Sequence, residues 1–217
     1  MKNTLLGCGI VAGPLFALIW AAQATTRAGF DPGRHPISLL SLGDLGWIQI
    51  TNFVVTGLLF TACAVGMRQT LLSGRGHVWG PRLVGSLGVG LIIAGVFVTD
   101  PGAGYPIGAP EGAPDHMSVH GIVHEIGFML SVPAMTVGAI VFARRFKAAG
   151  ELRWYRGALA TAGAVLLLTM FPSPDGFAVR AVIATAILFG FVAALSARYI
   201  HENNRSLPLP QQHFAHN

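Results

Sequence analysis

His120 and His124 stand four residues apart, so one turn of helix stacks both imidazoles on one face, the geometry by which a helix offers two nitrogens to a single metal ion. His116 continues the row. A divalent metal such as zinc would need a third ligand, for which Asp100 and His35 are the candidates, and an open position for water if the site were catalytic. Metal-activated water hydrolyses esters and amides. Asp100, Glu125 and Ser38 are the candidate catalytic groups, with Glu125 projecting about 100° around the helix from His124 as a proton acceptor. Gln49, Asn52 and Thr56, spaced three and four apart on one helix face, form a polar stripe, and Gln49, Asn52 and Arg34 are the candidate substrate-binding groups. The same residues also read as a hydrogen-bonded plug, in which histidines bond carbonyls, Asp100 pairs with Arg34 or Arg180, and the amides tie helices together. A haem held by His120 or His124 with His35 is disfavoured, because no second histidine layer lies deeper in the chain's apolar segments.

The elements that carry these groups are apolar. Of the 217 residues 53% are hydrophobic and 11% charged, against about 25% charged in an ordinary soluble domain. Apolar runs of about 20 residues recur. They place spans at Leu5–Ala24, Trp47–Met67, Leu83–Thr99, Val119–Ala143, Trp154–Phe171 and Phe177–Tyr199. Helices are required because backbone polar groups have no partners in lipid, and no alternating ten-residue pattern suggests a barrel. The expected fold is therefore all-α, a polytopic transmembrane bundle of six spans over residues 1–200, followed by a disordered cytoplasmic tail at 201–217 rich in polar residues and carrying Pro208 and Pro210. The tail's Asn204-Arg205-Ser206 sequon would then face the wrong side for glycosylation.

Lys and Arg set the orientation. Lys2, Arg68, Arg75, Arg82, Arg144, Arg145, Lys147, Arg153, Arg156, Arg198 and Arg205 fall on one side of a six-span chain, and only Arg27, Arg34 and Arg180 on the other. Both termini are expected in the cytoplasm of a cell-membrane protein, which leaves Asp31, Asp44, Asp100, Glu111, Asp115 and Asp175 outside. The formal charge of +5 is explained by this sorting; the scattered basic residues form no nucleic-acid patch, and membrane lipids are the expected partners. Cys8 and Cys63 lie within apolar segments and read as packing residues. Leu5-Leu6-Gly7-Cys8 has too few residues before it for a lipoprotein signal, and the run to Ala22 is long for a cleaved one, so a retained first helix is expected.

The outer turns hint at a repeat. Asp31-Pro32-Gly33 is followed by Pro36-Ile37, Asp100-Pro101-Gly102 by Pro106-Ile107, and the third turn reads Pro172-Ser173-Pro174-Asp175-Gly176. These are either three related helical hairpins or the Asp, Pro and Gly that any tight turn uses. Gly9 with Gly13, and Gly85, Gly88, Gly90 and Gly95, allow close helix approach, while Pro14 and Pro133 interrupt the first and fourth helices.

Phe30-Asp31-Pro32 with His35-Pro36-Ile37-Ser38, Ser41-Leu42-Gly43, Trp47, Asn52-Phe53, Gly95-Val96-Phe97, Asp100-Pro101, Pro106, His120-Gly121 and His124 together resemble the bacterial and archaeal multi-span membrane family called domain of unknown function 998, over nearly all of the chain to about Arg198. The resemblance implies a multi-span fold and no reaction. His120 and His124, with Asp100 and with Ser38 or Ser41, are similar as well to the seven-span zinc hydrolases that include alkaline ceramidases and adiponectin-type receptors, although this chain has six expected spans and its histidine pair on the fourth. Two functions follow as expectations. One is a metal-assisted hydrolase of a lipid or amphiphile at the outer leaflet. The other is a transporter, small-molecule binding or sensory protein, in which Gln49, Asn52, His124 and Glu125 line a cavity or the basic Arg144–Arg156 segment meets a partner. No phosphate-binding loop, nucleophile elbow or redox cysteine pair is present.

Overall fold

The computed structural model of the chain describes residues 1–112, 114, 116–171, 173 and 175–205. Asp115, Pro172, Pro174 and the segment from Ser206, the last residue of the sequon, lie outside the described residues. Six helices follow one another: α1 (Lys2–Thr26), α2 (Gly46–Thr70), α3 (Trp79–Val96), α4 (Val119–Ala148), α5 (Leu152–Met170) and α6 (Phe177–Arg205), with a 3-10 turn at Ile37–Ser41. Among the described residues the extended structure is a single bridge between Gly102 and Tyr105. The expected all-α bundle is what forms.

α1, α2, α3, α4 and α6 are long and apolar enough to cross a membrane by length and composition. α5 has 19 residues, about 28 Å of rise, and the guanidinium groups of Arg153 and Arg156 at its start lower its hydropathy. It still runs from one end of the bundle to the other. Glu151, just before it, forms an ion pair with Arg198 near the end of α6, while the Leu168 carbonyl near its far end accepts from Arg180 Nε at 3.2 Å at the start of α6.

Each helix packs on the next, and α1 returns to α6, so the six close a ring. Glycines let the walls approach. A Cβ at Gly88 would lie 2.6 Å from the Gly57 carbonyl oxygen, and one at Gly127 2.7 Å from that of Gly90, so α2, α3 and α4 meet backbone to backbone. Within the ring one end is filled: Phe60, Met67, Met135, Phe142, Phe146, Leu195 and Tyr199 are buried together. Arg198 lies 4.8 Å from the rings of both Phe146 and Trp154 while paired with Glu151 and Glu202, which gives Trp154 a packing role beyond that of an interfacial aromatic. Asn3, Thr70, Asn203 and Asn204 tie α1, α2 and α6 at the same end.

The apolar windows located every helix, and the differences are at the ends. α3 begins at Trp79, four residues before the expected Leu83, and stops at Val96, because Phe97 is extended and turns its carbonyl to a neighbouring side chain. α6 continues to Arg205, five residues into the segment read as tail, held there by the Asn203 and Asn204 contacts. The first two outer turns are closed differently, by Asp31–His35 bonds in one and by the Gly102–Tyr105 bridge in the other. Gly90→Val should lower stability by about 3 kcal/mol through overpacking against α4, whereas Gly163→Val, with open space around it, should change it by less than about 0.5 kcal/mol; thermal unfolding of the two variants in one detergent compares them.

Candidate functional site

The end opposite the packed core is built by side chains that satisfy loop backbone. Arg27, at the end of α1, donates to the carbonyls of Leu40 at 3.3 Å and Leu42 at 2.6 Å, and so folds the 3-10 turn back over the bundle. His35 is buried at 5% exposure. Its Nδ1 accepts from the Asp31 N–H at 2.9 Å, which puts the proton on Nε2, and Nε2 donates to the Ala103 carbonyl at 3.0 Å. Phe30 and Tyr105 each pack 5.4 Å from that ring. The loop after α1 is thereby fastened to the loop after α3, and the exposed Arg34–Glu111 ion pair joins them again.

The α3–α4 corner is held by two further contacts. His124 Nδ1 lies 2.9 Å from the carbonyls of both Ala94 and Phe97, the acceptors freed where α3 ends. Its Nε2 has no protein partner among the described residues, on a side chain only 4% exposed. Asp100 Oδ2 accepts from the Ser118 N–H at 2.8 Å, and Ser118 Oγ caps α4 by accepting from Gly121 N–H at 3.0 Å. A Cβ at Gly121 would collide with the Asp100 carboxylate, so only glycine lets the acid sit against the helix start.

Gln49 and Asn52 turn toward α1. Gln23 Nε2 donates to Gln49 Oε1 at 2.8 Å, and Asn52 Nδ2 donates to the Phe16 carbonyl at 3.2 Å. Both are fully enclosed, as is Thr56. They act as the expected interhelical tie and lie outside the cavity described next, whose lining includes Arg34 but neither amide.

A cavity of about 1090 Å³ occupies this end of the ring. Its mouth carries Arg34, Ser38, Thr99, Asp100, Glu125 and Asp175, with His124 just inside, and its depth is formed by Phe53, Leu87, Leu91, Val132, Leu188 and Phe189. From Phe177 at the mouth to Leu188 on the floor the α6 wall rises about 16 Å. A smaller groove lined by α1 and α6 shares Phe16, Ile37, Thr185 and Phe189 with it, so those four side chains stand in the partition between the two. Phe16 and Phe189 meet edge to face at 5.4 Å.

The candidate catalytic groups Ser38, Asp100 and Glu125 therefore share one cavity with His124 and Arg34. The metal set does not assemble: among the described residues no three His, Cys, Asp or Glu side chains are placed to hold one ion. The physical reason is visible at the three histidines. Both nitrogens of His35 are spent on backbone, His124 gives Nδ1 to α3, and His120 is exposed beside Phe97, 5.5 Å between ring centroids. Thr99, Phe128, Ser131 and Asp175 line the cavity without having been candidates. Phe128 and Ser131 continue the His124 face one and two turns down α4, which was the signal that could have marked them.

The family model described as a protein of unknown function (DUF998) matches residues 10–198, and the chain belongs to that family. Its helices and this membership make it a multi-pass membrane protein. No curated protein and no solved structure matches it. The residues that carried the resemblance now have contacts: His35 with Ala103, Asn52 with Phe16, Asp100 with Ser118 and Gly121, His124 with Phe97.

Replacing His35 by Ala strands the Asp31 N–H and the Ala103 carbonyl, a cost of about 2 kcal/mol. Faster amide exchange at both loops, with exchange in α5 unchanged, is the expected outcome.

Proposed function

From membership of a family that carries no assigned reaction, we propose that this protein binds a single-chain amphiphile, with the apolar chain in the cavity between α1, α2, α3, α4 and α6 and the head group at the Asp100–Glu125 mouth. One observation carries the reading: the cavity is polar at its rim and apolar to its floor, and its volume of about 1090 Å³ is at the upper end of ligand sites. An empty apolar space of that size costs stability unless something fills it, and water has few partners on a floor of Leu87, Leu91, Val132 and Leu188. The shared partition with the α1–α6 groove supports a ligand that arrives from the bilayer, since Phe16, Ile37, Thr185 and Phe189 border both groove and cavity.

Sorting of basic residues supports an orientation. Eleven of the 14 Lys and Arg residues lie at the packed end, so the cavity opens toward the extracytoplasmic leaflet and both ends of the chain face the cytoplasm. A second reading, hydrolysis of the same amphiphile, is favoured by Ser38, His124 and Glu125 facing one space, with His124 Nε2 and Glu125 as proton acceptors. The metal-assisted version draws no support from the donor geometry of the described residues.

Filling the floor with Leu91→Trp should remove co-purifying amphiphile, read by lipid mass spectrometry of the protein, while the thermal midpoint stays the same or rises. Wild-type protein that carries no amphiphile, and retains none when offered hexadecanol, would end the reading. For orientation, a cysteine at the exposed Ile107, in a chain with Cys8 and Cys63 replaced by Ala, should react with a membrane-impermeant maleimide on intact cells, and one at Leu72 only after lysis.

A further inference from the structure

The head group meets an unequal set of partners. At this end of the bundle each of the three arginines is already engaged. Arg27 donates to Leu40 and Leu42, Arg34 is paired with Glu111, and Arg180 donates to carbonyls of Leu168, Ser173 and Asp175. The carboxylates of Glu125 and Asp175, by contrast, have no protein partner among the described residues, and both line the cavity. Asp100 lines it as well and spends one oxygen on the Ser118 N–H. Deeper in, the buried His124 has given Nδ1 to α3, so in the neutral ring the unpartnered Nε2 is a hydrogen-bond acceptor. Besides Arg34, which is paired with Glu111, the side-chain donors among the described rim residues include the hydroxyls of Ser38, Thr99 and Ser173.

Acceptors and negative charge are thus in surplus where the head would sit: Asp100, Glu125 and Asp175 line the cavity, the one arginine among its described lining residues, Arg34, is paired with Glu111, and Arg27 and Arg180 keep their charge but spend their N–H donors on backbone carbonyls. An anionic head would face Glu125 and Asp175 with no free guanidinium, a like-charge arrangement that disfavours binding. A head that is cationic and donates hydrogen bonds satisfies the carboxylates and His124 Nε2 together, and Phe128 and Phe177 line the same space with rings whose faces attract cations. Resting on the amphiphile reading above, we propose that the ligand's head group is a protonated amine carried on its single apolar chain.

The test uses the full chain in phosphatidylcholine nanodiscs, titrated with hexadecylamine, hexadecanol and hexadecyl phosphate, with bound molecules counted by native mass spectrometry. The amine should bind about tenfold more tightly than the alcohol, and the phosphate more weakly than either. Glu125→Gln combined with Asp175→Asn should bring the amine down to the level of the alcohol. Retention of hexadecanol by that double variant reports an intact site; if it is lost, the ranking of the three heads on wild-type protein decides alone. Phosphate binding equal to or tighter than amine binding, or an amine preference that survives the double substitution with hexadecanol still retained, overturns the proposal while leaving the amphiphile reading in place. If instead none of the three binds wild-type protein above the level of Leu91→Trp protein, the amphiphile reading itself fails.

Discussion

A helix that ends in or near hydrocarbon leaves carbonyls and amides that water cannot reach, and the architecture of this protein follows from how those groups are satisfied. At the hollow end the solution is side chains that reach across to a neighbouring loop. His124 takes two carbonyls at the end of α3, Asp100 and Ser118 take the first amides of α4, Arg27 takes two carbonyls of the turn after α1, and Arg180 takes those between α5 and α6. Each bond fastens one helix end to the next, so the loops are held at the perimeter of the ring. Nothing has to fill the centre for the rim to keep its shape.

The two ends consequently divide the work. At the basic end aromatic and aliphatic side chains fill the space, and Arg198, between Phe146 and Trp154 and paired with Glu151 and Glu202, joins α4, α5 and α6. Packing of that kind supplies cohesion, because in lipid the helices have no hydrophobic driving force toward one another. The glycine contacts of α2 on α3 and α3 on α4 extend that cohesion along three walls. α5 takes no part in the cavity wall. Cohesion concentrated at one end frees the other to keep an interior that its own side chains do not occupy.

Hydropathy made the helices legible, since six apolar runs separated by charged turns admit little else. Of the chemistry-bearing residues, Arg34, Ser38, Asp100, His124 and Glu125 line one cavity. Their roles were harder to read, because spacing fixes which residues share a face and not what that face meets. Gln49 and Asn52 share a face, and it met α1 in place of the cavity. His120 and His124 share a face too, but α3 stops at Val96, so the deeper ring finds its carbonyls and the shallower one passes beyond the helix end beside Phe97. A cavity has no periodicity of its own: it exists where side chains from five helices fail to meet, and no local pattern records that failure.

The buried amides show why a polar stripe in a membrane helix need not mark a path. Gln23, Gln49 and Asn52 form a chain of hydrogen bonds that begins at Arg27 and ends at the Phe16 carbonyl, which crosses from the loop to the middle of α1. Pro14 gives up its amide in the same helix, so α1 has a weakened ladder within a turn of the carbonyl that Asn52 takes. The amides therefore fix α1 against α2 along the stretch where α1 is least able to hold itself, and Phe16 stays on Phe53 and Phe189 as part of the cavity's partition. Placed toward the cavity instead, the same three side chains would line it with neutral polar groups and leave α1 untethered; placed between α1 and α2, they keep the wall closed and leave the polar character of the site to the rim.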